Sequence, residues 1–208
     1  MTDGRYRRLC EIAGPVSRET YERLVTFESL FNHWAAKINL VGPSTIDQLW
    51  ERHILDSAQL LPLSQGTRWV DLGSGGGFPG AIIAILVFER GGKVHLVESN
   101  RKKAAFLTTA MATLGVNAQV YAMRIGAALK AIGAADVVTA RALATLPALL
   151  NLAEPWLSGG ALGLFHKGRD FRREVEESLQ EWSFDLVEHR SVVDPEGVIL
   201  AVRDLRRR

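Results

Sequence analysis

The 208-residue chain has a single cysteine, Cys10, which excludes an internal disulfide framework and any zinc or iron–sulfur centre built on clustered cysteines. Long apolar runs are missing too: the longest, Ala81 to Phe88, stops at Glu89 and Arg90, well short of the roughly 20 residues a membrane-spanning helix needs. Met1 to Cys10 carries Arg5, Arg7 and Arg8 with no apolar stretch behind them, so a secretory signal is not expected and a cytoplasmic setting is. The histidines, His33, His53, His95, His166 and His189, show no metal-ligand spacing, and no metal is expected. Repeats, low-complexity tracts and linkers rich in proline and serine are also lacking. The chain is 47% hydrophobic and 23% charged, enough apolar side chain to bury a core and too much for disorder.

An excess of one charge is also missing, the net charge being +2, but the positive residues are clumped: Arg5, Arg7 and Arg8; Arg101, Lys102 and Lys103; Lys167 to Arg173; Arg203 to Arg208. Such clumps are commonly solvated surface. Where they gather on one face they form the electrostatic footprint of a nucleic-acid partner.

Two regions are distinguishable. Up to residue 65 the pattern is helical: after Ser17, a plausible N-cap, Tyr21, Leu24, Val25, Leu30, Phe31, Trp34 and Ile38 recur at helical spacing, predicting one helix or a pair, with Asn39 placed to cap the end. Beyond a break at Gly42-Pro43, Thr45 and Gln48 read as a capping box, and Ile46, Leu49, Trp50, Ile54, Ala58 and Leu61 form an apolar stripe ending at Pro62. From residue 66 onward short runs rich in valine and leucine alternate with helical stretches. They predict strands at Trp69–Leu72, Val94–Glu98, Ala118–Ala122, Asp136–Ala140, Ala161–His166, Phe184–His189 and Val198–Arg203. The connection between the last two is too short for a helical crossover, so they should pair antiparallel. The expected fold is α/β and Rossmann-like: a seven-stranded, mostly parallel sheet with a C-terminal antiparallel hairpin, preceded by an N-terminal helical extension (residues 1–65) packed on the main domain (66–208).

The strongest chemical signal is Asp71-Leu-Gly73-Ser-Gly75-Gly-Gly77-Phe78-Pro-Gly80, directly after a predicted strand and before the apolar helix Ala81 to Phe88. Glycines at such a turn let a ligand approach the backbone, and amides at the helix start offer donors. Glu98, ending the next strand, stands where a carboxylate would accept from a ribose diol. The glycine pattern alone fits NAD as well as S-adenosylmethionine. Asp71, an acid near the methionine ammonium, and the terminal hairpin favour S-adenosylmethionine; a nicotinamide-dependent oxidoreductase and a non-catalytic ribosome-assembly factor that binds RNA stay open.

Several segments, in order, resemble one family. These are Asn32-His-Trp-Ala-Ala-Lys-Ile-Asn39-Leu40, Arg52-His53-Ile-Leu-Asp56-Ser57, the loop Asp71 to Gly80, Leu96-Val-Glu98-Ser-Asn100-Arg-Lys102-Lys103 with Phe106-Leu107, Val138-Thr-Ala-Arg141-Ala142, and Lys167-Gly168. The sequence resembles the bacterial glucose-inhibited division protein B family over nearly its whole length. The resemblance implies a class I methyltransferase that uses S-adenosyl-L-methionine to methylate N7 of a guanine in the decoding-region loop of 16S ribosomal RNA. It implies cofactor contacts at Gly73 and Phe78, at Glu98, at the backbone of Ile125 and Gly126, and at Arg141, alongside Asp71, Gly75 and Gly77 of the loop. The family often carries an acid after the third strand; this chain has Arg124-Ile125-Gly126.

Guanine N7 has an in-plane lone pair and no proton to lose, so no general base is needed and catalysis is mostly positioning and electrostatics. Arg141 and Lys167, at the ends of the fourth and fifth strands, are the residues expected to orient the reactants; the competing readings are a structural ion pair for Arg141 and surface charge for Lys167. Arg52, His53 and Asp56 share a helical face that either lines the site or locks the helical part to it. Expected RNA contacts are Arg52, His53, Arg101, Lys102, Lys103, Lys167, Arg206, Arg207 and Arg208, with the guanine stacked on an aromatic such as Phe78 or Trp34. The resemblance implies 16S ribosomal RNA or the small ribosomal subunit as partner, and the protein itself is expected to be a monomer.

Overall fold

In the computed structural model, which describes residues 2–40, 42 and 48–208, seven strands form one sheet in the order β3-β2-β1-β4-β5-β7-β6. They are β1 (Arg68–Leu72), β2 (Lys93–Val97), β3 (Ala118–Tyr121), β4 (Val137–Arg141), β5 (Leu162–Lys167), β6 (Trp182–Arg190) and β7 (Val198–Arg207). The first five run parallel, and β7 inserts antiparallel between β5 and β6. All seven expected strands and the terminal hairpin are present. The last strand runs on to Arg207 rather than ending at Arg203.

The helices are α1 (Thr2–Ala13), α2 (Arg18–Ala35), α3 (Asp56–Ala58), α4 (Gly80–Val87), α5 (Arg101–Leu114), α6 (Ile125–Ile132), α7 (Leu146–Leu157) and α8 (Phe171–Ser178). Alternation along each strand divides the core in two. Trp69, Val94, Leu96, Val137 and Leu164 face a layer built from α1, α2, α4 and α5. Val70, Leu72, Val138, Ala140 and Leu200 face α6, α7 and α8.

Ser17 caps α2, its hydroxyl accepting from the Thr20 amide at 3.0 Å. That helix stops at Ala35 with Ala36 as its C-cap, so Asn39 does not cap it. Pro43 of the Gly42-Pro43 break, Thr45 of the capping box and Ile46 lie outside the described residues. Among the described residues no helix is long and apolar enough to cross a membrane.

The N-terminal helices matter because of α4. Every residue of this helix, Gly-Ala-Ile-Ile-Ala-Ile-Leu-Val, is buried, and a helix apolar all round needs cover on all sides. The sheet supplies one side, α2 and α3 the other. Phe27 and Phe31 of α2 pack with Phe78 and Phe106, ring centroids 5.4–6.4 Å apart, directly behind the glycine loop. Gly80 opens α4 hard against the sheet: a Cβ there would lie 2.4 Å from both Asp71 Oδ2 and Leu96 Cδ2. Gly80→Ala should therefore destabilise the protein by about 1–3 kcal/mol, the usual cost of overpacking; an unchanged denaturant midpoint would show that the sheet yields.

The apolar stripe of residues 49–61 is helical but not regular. Trp50–Leu55 is a π-helical turn, followed by α3 and a 3-10 turn at Leu61–Leu63. The wider turn buries Trp50, Ile54 and Leu55 while carrying Arg52, His53 and Asp56 over the ends of β4 and β5. Single π turns of this kind recur at functional sites.

Candidate active site at the strand tips

The carboxyl ends of the parallel strands carry two cavities that share a wall, at the place where an open α/β sheet binds ligands. The first, about 1060 Å³, is lined by Gly73, Gly75 and Phe78 of the glycine loop, Glu98 after β2, and Arg124, Ile125 and Gly126 after β3. The second, about 720 Å³, is lined by Arg8, Arg52, Asp56, His166, Lys167 and Glu174 among others. His53, Arg141 and Ala142 line both.

The glycine loop is shaped for a ligand on one side only. Gly73 has φ +70°, a left-handed conformation that favours glycine, and a Cβ there would also have to displace the tip of Leu143, 2.6 Å away. Glu98 bridges the loop to the turn before α5, Oε2 accepting from the Gly75 amide at 2.8 Å and Oε1 from the Asn100 amide at 2.6 Å. Asn100 in turn caps α5 through the amides of Lys102 and Lys103.

Two residues expected at the cofactor do not line this cavity. Gly77 does not line the cavity: its Cα faces backward, where a Cβ would sit 3.0 Å from Phe27 and 2.9 Å from Ala81. Asp71 is buried below the loop, its Oδ1 accepting from the Thr139 hydroxyl at 2.8 Å and Oδ2 facing the Gly80 backbone without a well-formed hydrogen bond. Burial pushes its carboxyl up to about 6.

At the shared wall, Arg141 is held from three directions. Its guanidinium donates to Asp56 Oδ2 at 3.1 Å, to the Arg52 carbonyl at 3.2 Å and to His53 Nδ1 at 2.7 Å. An arginine has no acceptor, so His53 Nδ1 must accept and the ring is the neutral Nε2–H tautomer. Burial, then the Arg141 charge, brings the His53 pKa down to about 4. The ring stacks on Phe78 at 4.9 Å and 26°, leaving Phe78, 4% exposed, no ring face for a nucleobase. Trp34 is half-buried against Phe106. His166 donates from Nε2 to the Asp56 carbonyl at 3.0 Å, and burial lowers its pKa as well. Ala142, next to Arg141, has φ +52°, a left-handed conformation that costs an L-residue roughly 1–2 kcal/mol and persists where the surroundings enforce it.

Lys167 is tied to Glu174 at 2.5 Å and to the Ala144 carbonyl at 2.9 Å. Two of its three donors are thus spent on structure and one is left for the second cavity. Arg101 and Lys102 line neither cavity; they are exposed on the first turn of α5 beside Lys103, which lines the first. Arg206, Arg207 and Arg208 are far from both. Because β7 is antiparallel to β5, Val198 pairs with Lys167 at the strand tips and the chain then runs to the opposite edge of the sheet, where Arg207 pairs with Trp182. Sequence reasoning passed over His166, Ala142 and Leu143. A lone histidine in a strand gives no signal, and Ala142 betrays nothing of its backbone.

The buried imidazoles set the acid response. Between pH 6.5 and about 4 the unfolded chain binds a proton at His53 that the native state refuses, and the lowered pKa of His166 acts in the same direction below pH 6.5, so stability falls as pH drops through that window. Asp71, with its raised pKa, acts oppositely, since its native carboxyl takes up a proton first. Two histidines outweigh one carboxyl, and the urea midpoint should fall from pH 6.5 to pH 4.5. It should fall less in His53→Asn; equal losses in both proteins would contradict the neutral, buried ring.

Comparison with known proteins agrees with this architecture. A family model described as rRNA small subunit methyltransferase G matches residues 20–200. Ribosomal RNA small subunit methyltransferase G of Chelativorans sp. (strain BNC1) is 56% identical over 205 residues, covering 98% of each chain. The protein of the same name from Brucella canis is 55% identical over 208 residues, covering 99% of this chain and 98% of its own. Among solved structures, an O-methyltransferase from Bacillus cereus in complex with SAH superposes with TM-score 0.59 at 14% identity, covering 98% of this chain and all of the other. Cofactor-bound Rv0187 from MTB gives 0.60 at 16% identity, covering 93% of this chain and 92% of the other. With the class I methyltransferase sheet, the glycine loop at its strand tips and a match over 181 of its 208 residues, the chain belongs to the rRNA small subunit methyltransferase G family and is a methyltransferase.

Proposed function

We propose that this enzyme transfers a methyl group from S-adenosyl-L-methionine to N7 of a guanine in 16S ribosomal RNA. The observation that carries the reading is the pair of cavities joined at His53, Arg141 and Ala142: one chamber suits a nucleoside-bearing donor, the other a flat polar acceptor, and they meet at one wall.

The residues of the first chamber fit the cofactor. Glu98 would accept from the ribose diol, each of its oxygens keeping a lone pair beyond the backbone amide it already holds. Gly73 and Gly75 would take the methionine part against bare backbone, and Ile125 and Gly126 would contact adenine through apolar surface and amides. When bound, S-adenosylmethionine would supply a sulfonium-activated methyl to the lone pair of guanine N7, a transfer that asks the protein to remove no proton. Such a transfer suits a site whose histidines are built not to take one: His53 Nδ1 is filled by Arg141, and burial opposes protonation of both His53 and His166.

Positive charge passes to the acceptor base, so a bare arginine beside it would oppose the reaction. Asp56 offsets the charge of Arg141 and leaves it as a directional donor for a guanine edge. The remaining donor of Lys167 serves the same cavity. Incubation with labelled S-adenosylmethionine and small-subunit RNA lacking the modification should place label on guanine N7. Absence of label in that RNA, with label accepted by another substrate, would sink the assignment.

A further inference from the structure

Of the basic side chains lining the second cavity, Arg8 pairs with Glu11 and Arg169 with Glu196, while Arg52 has no side-chain partner among the described residues. At the rim of the cofactor chamber none of four cations has one. The side chains of Lys103 and Arg124, which line it, and of Arg101 and Lys102 beside it make no ion pair or hydrogen bond among the described residues. Their placement also works against local stability. α5 starts on three cations with no acid in its first turn, and α6 starts on Arg124 with neither a side-chain cap nor an acid; positive charge at a helix N-terminus opposes the macrodipole. Four cations kept at a local cost and left without partners form a surface that only a polyanion completes.

We propose that the phosphate backbone of the acceptor RNA crosses the mouth of the cofactor chamber on Lys103 and Arg124, flanked by Arg101 and Lys102, so that bound RNA is the lid of that chamber. The proposal rests on the reading of the enzyme as an RNA methyltransferase and adds an order to it. Cofactor exchange is blocked while RNA is in place, so the cofactor loads before RNA and its demethylated product leaves after it. Guanine is then presented to the shared wall by a strand already anchored over the donor.

The test uses the full chain, S-adenosylhomocysteine and a small-subunit RNA fragment that the wild-type enzyme methylates. Saturating RNA should slow dissociation of S-adenosylhomocysteine by about tenfold, within the usual range of coupling between two sites. In the Lys103→Gln/Arg124→Gln variant the RNA affinity of the cofactor-free protein should drop by about tenfold. Its logarithmic salt dependence should become shallower by about 1.4, the expectation for two phosphate contacts to single-stranded RNA, and RNA should no longer slow product release. The thermal midpoint of the variant should rise, since two charges opposing helix dipoles have gone, which separates lost RNA contact from misfolding. Unchanged RNA affinity and salt dependence, or release that RNA does not slow in the wild type, would overturn the lid. A wild-type protein that binds no S-adenosylhomocysteine, or that methylates no ribosomal RNA, would instead overturn the reading beneath it.

Discussion

Asp56→Ala should lower folding stability by about 3–5 kcal/mol, the cost of stripping the partner from a buried ion pair. The side chains of Arg141 and Asp56 are 17% and 13% exposed, so the arginine would keep only its bonds to the Arg52 carbonyl and His53 Nδ1, neither of them charged, with little water to compensate. Asp56 Oδ1 also accepts from Gln59 Nε2 at 2.7 Å, and Gln59 in turn holds the Val192 amide and the Ser191 hydroxyl. Loss of the carboxylate thus loosens the joint between the helical N-terminal part and the β6–β7 connection as well. Chemical unfolding measures the effect, and a loss under 1 kcal/mol would mean that water reaches the pair.

The more informative protein is the double variant Asp56→Leu/Arg141→Met. Replacing a buried ion pair by apolar side chains of similar volume is often neutral or better for stability, so the double variant should recover most of what Asp56→Ala loses. If Arg141 orients the reactants, methyl transfer should still be down by about 10²-fold, the scale on which misplacement by an ångström is felt. A double variant that regains activity along with stability would reduce Arg141 to a structural tie. The structure makes Arg141 an ion-paired residue that also lines both cavities, and the double variant separates the two roles.

Much of this architecture is written in the sequence because it rests on local rules. Strand and helix alternation, the capping hydroxyl of Ser17 and the glycine loop all follow from periodicity and backbone sterics within a few residues. The α-helical spacing of Arg52, His53 and Asp56 groups three residues that do line one cavity, but on a different turn: Trp50, Ile54 and Leu55 are buried on a π turn, which no single-helix pattern displays. Gly77 and Asp71 belong to the same motif as Gly73 yet face backward, since a loop has two sides and the motif does not say which residues serve which. The arginines 206–208 are a different case. An antiparallel hairpin carries the last strand away from the strand tips, and clustering of charge by itself says nothing of that direction.

Glu98→Gln tests the cofactor chamber most directly. The carboxylate holds the Gly75 and Asn100 amides with one oxygen each and offers the remaining lone pairs to a ligand diol. The amide replaces one acceptor by an NH2 group that must face a backbone N–H and a ligand hydroxyl, so it loses both a charge-assisted bond and the shape of the turn. At about 1.5–3 kcal/mol for a hydrogen bond to a charged group, affinity for S-adenosylhomocysteine in a calorimetric titration should fall by about 10²-fold, with a stability loss of about 1–3 kcal/mol from the donor left unsatisfied. Glu98→Asp retains the charge but falls one methylene short of spanning both amides, and should bind with intermediate affinity. If binding instead changes by under about threefold in Glu98→Gln while stability drops, Glu98 is a brace for the glycine loop, and ribose must be held by the Ser99 and Gly75 backbone around it.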